Sequence, residues 1–287
     1  MVGKSFRIGL KTGLGQRKLV LLYYLASLLA ALPVTLAFSQ AMGSFLGRSL
    51  IARDLGGHFN MDFFFEYLFF GKNGLATLPF LWLLAALVYL LGLLLLSGGL
   101  FAQFYQDRPY QAQRFWADAF HHWGRMVRLG LLSVPVLLLL LAIQFLEVGL
   151  QRLIFGKQPY EYIAYWGRVV QMVLAYAGIW IFSLIFDFAR WDLVANQQNK
   201  TRYSLMAGIR FVFSQFSAAG SLYALFLLTS GLLTLVYILI SGLLGANAVP
   251  AIFLLILIQQ IYMWLRAGLR VGLLAGEREL LRQLGSN

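Results

Sequence analysis

Long apolar runs without a charged residue alternate with short charged segments along the chain. A helix needs about 20 mostly apolar residues to cross the hydrocarbon core of a bilayer. The longest run has room for two crossings, and its Gly- and Asn-rich segment 241–250 predicts a turn between them. The charge-free runs are Leu19–Gly47, Asn73–Gln106, Leu129–Leu146, Val169–Phe186 and Phe211–Leu265.

These runs predict an all-α fold, a polytopic membrane bundle of six transmembrane helices. The first apolar run follows five basic residues, as in a signal peptide, but it is much longer than the apolar region of a cleavable signal, which has about 7–15 residues. We therefore expect it to remain as the first membrane helix. The predicted spans cover approximately 19–46, 77–105, 128–150, 169–190, 220–243 and 250–273.

An amphipathic segment precedes the first, third and fifth predicted spans. Helices of this kind lie in the membrane–water interface, with the apolar face in the lipid. We predict three interfacial helices and, within a single transmembrane domain 1–287, a threefold pattern of surface helix plus hairpin over 1–105, 106–190 and 191–287. Alternatively, any basic loop between membrane helices tends to look amphipathic. The apolar stripes are Phe6, Leu10 and Leu14; Trp116, Phe120, Trp123 and Val127; and Leu205, Ile209, Val212 and Phe216.

Composition excludes a water-soluble globular protein. Hydrophobic residues make up 60% of the chain and charged residues 12%, whereas a soluble domain is about one-quarter charged. The chain has no cysteine, which excludes disulfides, thiolate catalysis, iron–sulfur clusters and cysteine-based zinc sites.

The basic residues are concentrated on one predicted side of the membrane. The N-terminus, the segments 105–128 and 187–219 and the C-terminal tail carry 17 of the 23 lysines and arginines. Under the positive-inside rule, both termini are cytoplasmic, and we expect a bacterial inner membrane as the location. The net charge of +12 favours anionic lipids on the cytoplasmic face as partners. A nucleic-acid partner is not expected, because the basic residues form no dense run.

Three stretches resemble segments of a group of uncharacterised bacterial six-helix integral membrane proteins. They are residues 186–213 (FDFARWDLVANQQNKTRYSLMAGIRFVF), 57–66 (GHFNMDFFFE) and 269–281 (LRVGLLAGERELL). The layout is also similar in plan to the membrane domain of glycerophosphodiester phosphodiesterases. The resemblance implies a six-helix fold more than a function, and we expect no soluble phosphodiesterase domain, because the membrane part uses the 287 residues.

Two acidic positions are candidates for function. Asp187 and Arg190 are spaced i, i+3 and can pair as a polar clamp on one helix face. The clamp could gate a pathway or bind a phosphate head group, or it could pin the helix end at the interface. Glu147 is the acid within an apolar span, where carboxylates are costly and often functional. Proton coupling or ion binding is one interpretation, and an interfacial pair with Arg152 is the favoured one.

The sequence lacks the motifs of common enzymes and cofactor sites. HExxH, GxSxG and P-loop patterns are missing, so we expect a non-enzymatic protein without catalytic residues or a cofactor. His121 and His122 are adjacent, and adjacent helical side chains point about 100° apart, which disfavours binding one ion together. His58 and Asp62 have helical spacing but form a weak pair, so we expect no metal.

The predicted outer loop contains a dense aromatic run, residues 63–70, in which Glu66 is the single charged residue. Aromatic rings favour the bilayer interface, and an anchoring belt is one explanation. The other is a docking surface for another membrane subunit. The candidate interface residues are Phe63, Phe64, Phe65 and Phe69.

The leading functional prediction is a structural or accessory subunit that packs against other membrane protein subunits. The alternative is a permease-like component that moves lipids or other amphipathic molecules. An enzyme acting on lipid head groups is a third possibility, for which no catalytic group is visible in the sequence.

Overall fold

The computed structural model describes residues 1–46, 61, 65, 78–108, 110–156, 160–196, 200–244 and 249–285. Every regular secondary-structure element within these ranges is an α-helix. The helices are α1 (Val2–Gly15), α2 (Arg17–Leu46), α3 (Leu78–Gln106), α4 (Ala112–Ala142), α5 (Gln144–Phe155), α6 (Glu161–Ala195), α7 (Thr201–Ser214), α8 (Phe216–Leu244) and α9 (Val249–Gly285).

Six helical stretches in the described residues are long and apolar enough to cross a membrane, which confirms the predicted all-α class and span count. Several boundaries differ from the prediction. The segment 110–128 is not a separate helix, because α4 runs from Ala112 through it to Ala142. No proline or turn sequence interrupts this segment, and a change from amphipathic to apolar composition does not break backbone hydrogen bonds. The six helical stretches that are long and apolar enough to cross a membrane are Arg17–Gly43, Phe80–Gln106, Ala112–Phe155, Glu161–Ala195, Phe216–Leu244 and Pro250–Leu284.

The chain divides into two compact units, one formed by Met1–Leu96 with Ala224–Asn287 and the other by Ser97–Tyr223. In the first unit, α1 crosses α9 at very short range. A Cβ atom added to Gly13 would lie 2.5 Å from the carbonyl oxygen of Gly268 and 2.8 Å from the Cα of Gly272. Only small residues permit such backbone contact, which is how membrane helices often pack.

Hydrogen bonds between spans add to this packing in the first unit. The hydroxyl of Tyr24 on α2 donates to Oε1 of Gln260 on α9 at 2.5 Å. The hydroxyls of Thr234 on α8 and Tyr262 on α9 lie 3.0 Å apart. Such bonds satisfy polar groups that hydrocarbon cannot solvate.

The second unit contains further crossings of the same kind, and two of them involve amphipathic segments. A Cβ on Gly208 of α7 would lie 2.7 Å from the carbonyl oxygen of Ile185 on α6. A Cβ on Gly99 of α3 would lie 2.8 Å from the carbonyl oxygen of Phe115 on α4. Each amphipathic segment thus packs against the C-terminal part of a long helix, and the threefold pattern stays a prediction.

On α1 and α4 the faces that pack are not the predicted apolar stripes but lie one residue before them. Gly13 is buried while Leu14 is 58% exposed, and Ala119 is buried while Phe120 is 62% exposed. On α7 Gly208 is buried, but Val212 of the predicted stripe is fully buried as well, so the stripe itself packs there in part. Close crossings select small side chains, so the large apolar ones are left on a neighbouring face. That exposed face is compatible with interfacial lipid, and the interfacial position of these helices stays a prediction.

The orientation inferred from the basic residues leads to a direct prediction. Reporters fused after Asn287 or within 197–200 should report the cytoplasm, and one inserted at 56–57 should report the opposite side. Paired alkaline phosphatase and fluorescent protein fusions measure this. A cytoplasmic signal at 56–57 would contradict the six-span topology.

Candidate functional site

The predicted polar clamp is formed and buried. Asp187 and Arg190 lie one turn apart in the C-terminal third of α6, with 1% and 8% of their surfaces exposed. Nη1 of Arg190 donates to Oδ1 of Asp187 at 3.1 Å. The i, i+3 spacing inferred from sequence therefore produces the expected pair, but in a protein-enclosed position.

A third residue completes this cluster. The hydroxyl of Tyr223, on α8, donates a short hydrogen bond to Oδ2 of Asp187. Tyr223 is itself 6% exposed. Both carboxylate oxygens of Asp187 are thus held by side-chain donors, which compensates for the cost of burying the charge.

Aromatic rings enclose the cationic partner. The guanidinium carbon of Arg190 lies 3.8 Å from the ring centroid of Phe186 and 5.9 Å from that of Phe101. Phe101 in turn meets Trp191 edge to face, with centroids 4.7 Å apart. Guanidinium over an aromatic face is a favourable cation–π contact. The cluster therefore joins α3, α6 and α8 within the second unit and favours a structural role over head-group binding.

Sequence reasoning missed several buried polar residues, among them Tyr223 and Glu277. Tyr223 is 36 positions from Asp187, so no local spacing could indicate their contact. Glu277 on α9 is fully buried, although its charged neighbours in the sequence favour an exposed tail. The sequence did contain a signal for the burial of Glu277. The residue follows Ala275 and Gly276 directly, and small residues indicate a closely packed helix face.

A second candidate site lies between α5 and α6. These helices border an apolar groove of about 640 Å³, within the range of ordinary ligand pockets. One acidic side chain, Glu147, lines the groove together with Gln151 and aliphatic and aromatic side chains. We call this the α5–α6 groove.

Glu147 is positioned by a glycine on the facing helix. A Cβ atom added to Gly167 would meet Oε1 of Glu147, so any side chain there would displace the carboxylate from its present position. Nε2 of Gln151, one turn further along α5, donates to the carbonyl oxygen of Ile163 on α6 at 2.8 Å. Gln151 therefore bridges α5 and α6 by a hydrogen bond, and the Glu147 carboxylate packs against α6 beside it.

The prediction of an ion pair between Glu147 and Arg152 is wrong. Within the ranges that the structure describes, Glu147 takes part in no salt bridge. The reason is helical geometry: residues five apart lie about 140° apart around the axis, so the two side chains leave α5 in different directions.

Most of the remaining predicted residues lie outside the ranges that the structure describes. Phe65 is 52% exposed, and Phe63, Phe64 and Phe69 lie outside the described residues, as do His58 and Asp62. The rings of His121 and His122 meet edge to face with centroids 4.9 Å apart. Among the described side chains, no group of three metal-ligating residues comes together.

These features define a polytopic α-helical membrane protein with a buried polar clamp and an apolar groove that contains a carboxylate. No family model, curated protein or solved structure matches the chain. The resemblance to bacterial six-helix membrane proteins therefore stays a prediction.

Proposed function

We propose that this protein is a non-enzymatic structural or accessory subunit of a complex in the bacterial inner membrane. The observation that supports this role is the low burial of the spans. In the most apolar 18 residues of each span, at most 17% of the residues are buried, and the share is 6% for Phe216–Leu244 and Pro250–Leu284. Membrane helices associate through packing area, so these faces offer contact surface to helices of other chains.

The exposed side chains on α8 illustrate the size of this surface. Leu227, Leu228 and Leu232 are each at least 63% exposed, and Leu235 is 53% exposed. Acyl chains can cover such residues, and so can partner helices. The candidate interface around Phe65 would add a docking surface at the outer ends of the spans.

We expect mild-detergent extraction to yield an oligomer or a heteromeric complex. Replacing Phe64, Phe65 and Phe69 with Ser should weaken the assembly and leave the isolated chain folded, because the substitutions remove apolar area from the predicted outer loop and leave the sequences of the spans unchanged. Native mass spectrometry of both proteins measures the assembled fraction.

The matched control replaces exposed aromatic residues elsewhere. Phe120 and Phe213 are 62% and 71% exposed on α4 and α7, which the topology prediction places on the opposite side. Their replacement with Ser should leave the assembly intact. A wild-type protein that stays monomeric would contradict the subunit role.

The α5–α6 groove favours a second candidate function, handling of lipids or other amphipathic molecules. A groove with apolar walls and one carboxylate matches a ligand that has an apolar chain and a polar head. This role is compatible with the first, because accessory subunits can present or bind such molecules.

A further inference from the structure

We infer that the α5–α6 groove binds an amphipathic cation, a single alkyl chain that ends in an ammonium group. The inference deepens the second candidate function and rests on it for biological meaning. The position of Glu147, the aromatic residues beside it and the dimensions of the groove support it independently of any transport activity.

The charge of the groove selects the head group. Glu147 is partly buried among apolar side chains and has no cationic partner in the described part of the chain. A carboxylate at membrane depth is costly unless a positive group compensates it. An ammonium head group placed against Glu147 would provide that charge, whereas an anionic head group would be repelled.

Two aromatic residues beside the acid reinforce this selectivity. Tyr162 and Trp166 line the groove on α6, with ring centroids 6.2 Å apart. The face of an indole or phenol ring attracts a cation, and quaternary ammonium ligands are recognised in this way. Gly167 follows Trp166 directly and lets the Glu147 carboxylate of α5 approach the α6 backbone, so the acid and the rings line the same groove from its two sides.

The apolar walls accommodate the alkyl chain. Leu146, Leu150 and Ile154 continue along α5, and Val170 and Leu174 continue along α6. The volume of about 640 Å³ equals about twenty water-sized groups. This suits one alkyl chain with its head, whereas a two-chain phospholipid has more than twice as many heavy atoms.

Binding of dodecyltrimethylammonium to the full-length protein in dodecyl maltoside tests the inference. Dodecyltrimethylammonium and dodecyl maltoside carry the same dodecyl chain and differ in the head group. The cation can therefore displace the large excess of uncharged detergent only through interactions of its ammonium group. We expect Glu147→Gln to weaken cation binding at least tenfold, as loss of a close charge interaction does. Glu161→Gln, which removes an exposed acid from the start of α6 outside the groove, should bind like the wild type.

Trp166→Leu provides a second test that keeps the wall apolar. It should weaken binding of the cation and leave retention of the uncharged detergent unchanged. Equal cation affinity of Glu147→Gln and the wild type would overturn the inference, and so would a wild-type protein that does not bind the cation. If the protein retained phosphatidylethanolamine in preference to dodecyltrimethylammonium, the assignment of a single-chain ligand to the groove would be overturned.

A vesicle assay separates the binding site from the proposed function. If the cation binds through Glu147 but reconstituted protein does not move or present it, the handling role fails and the site stands. If transport occurs unchanged in Glu147→Gln, the site assignment fails and the handling role stands.

Discussion

Asp187→Ala is expected to destabilise the protein by about 3–5 kcal/mol, the usual cost of leaving a buried charge without its partner. The substitution removes the acceptor of both Arg190 and Tyr223. Arg190 would remain stacked on Phe186 but would lose its ion pair with Asp187. Thermal unfolding in detergent, followed by tryptophan fluorescence, should show a transition several degrees lower.

The control removes both charges together. Asp187→Leu combined with Arg190→Leu should recover a large part of the lost stability, because no buried charge is left unpaired. Tyr223→Phe should cost less, about 1–3 kcal/mol, since it deletes one hydrogen bond and leaves the ion pair. An Asp187→Ala protein as stable as the wild type would show that the clamp does not hold α6 in place.

Gly13→Leu is expected to separate α1 from α9 and to lower the free energy of unfolding by about 1–3 kcal/mol, the usual cost of overpacking. The first added carbon would already lie 2.5 Å from the carbonyl oxygen of Gly268. Backbone cannot yield as a flexible side chain does, so the whole helix must move. Amide hydrogen exchange should show lost protection over 2–15, together with a lower unfolding temperature.

Two other glycines of α1 are matched controls. A Cβ on Gly3 or Gly15 would meet no atom within 4 Å. Leucine at either position should therefore leave exchange and unfolding temperature close to the wild type, and it also raises helix propensity. Equal effects of Gly13→Leu and Gly15→Leu would mean that the α1–α9 crossing is not tight in the membrane.

If both predictions hold, the protein contains two tightly packed cores of different chemistry. Glycine backbone contacts hold α1 on α9, and a charged cluster holds α6, α3 and α8. The spans outside these contacts remain mostly exposed. This division suits a subunit whose own fold is secured locally while most of its apolar surface stays open for lipid or other chains.

Much of this architecture follows from the sequence alone. Six spans are required because charge-free runs such as Val169–Phe186 have no stable alternative in water. The Asp187–Arg190 pair also follows, since residues three apart on a helix share a face. Both conclusions depend on interactions within one segment, where spacing along the chain determines distance in space.

Tertiary structure decided which faces pack and what completes each site. Tyr223 joins Asp187 from a different helix, and Gly167 on α6 meets Glu147 on α5. On α1 the large apolar residues predict the wrong face, because the close approach of α9 selects Gly13 over Leu14. Such choices depend on the distance and angle between two backbones, which no periodicity within a single helix encodes.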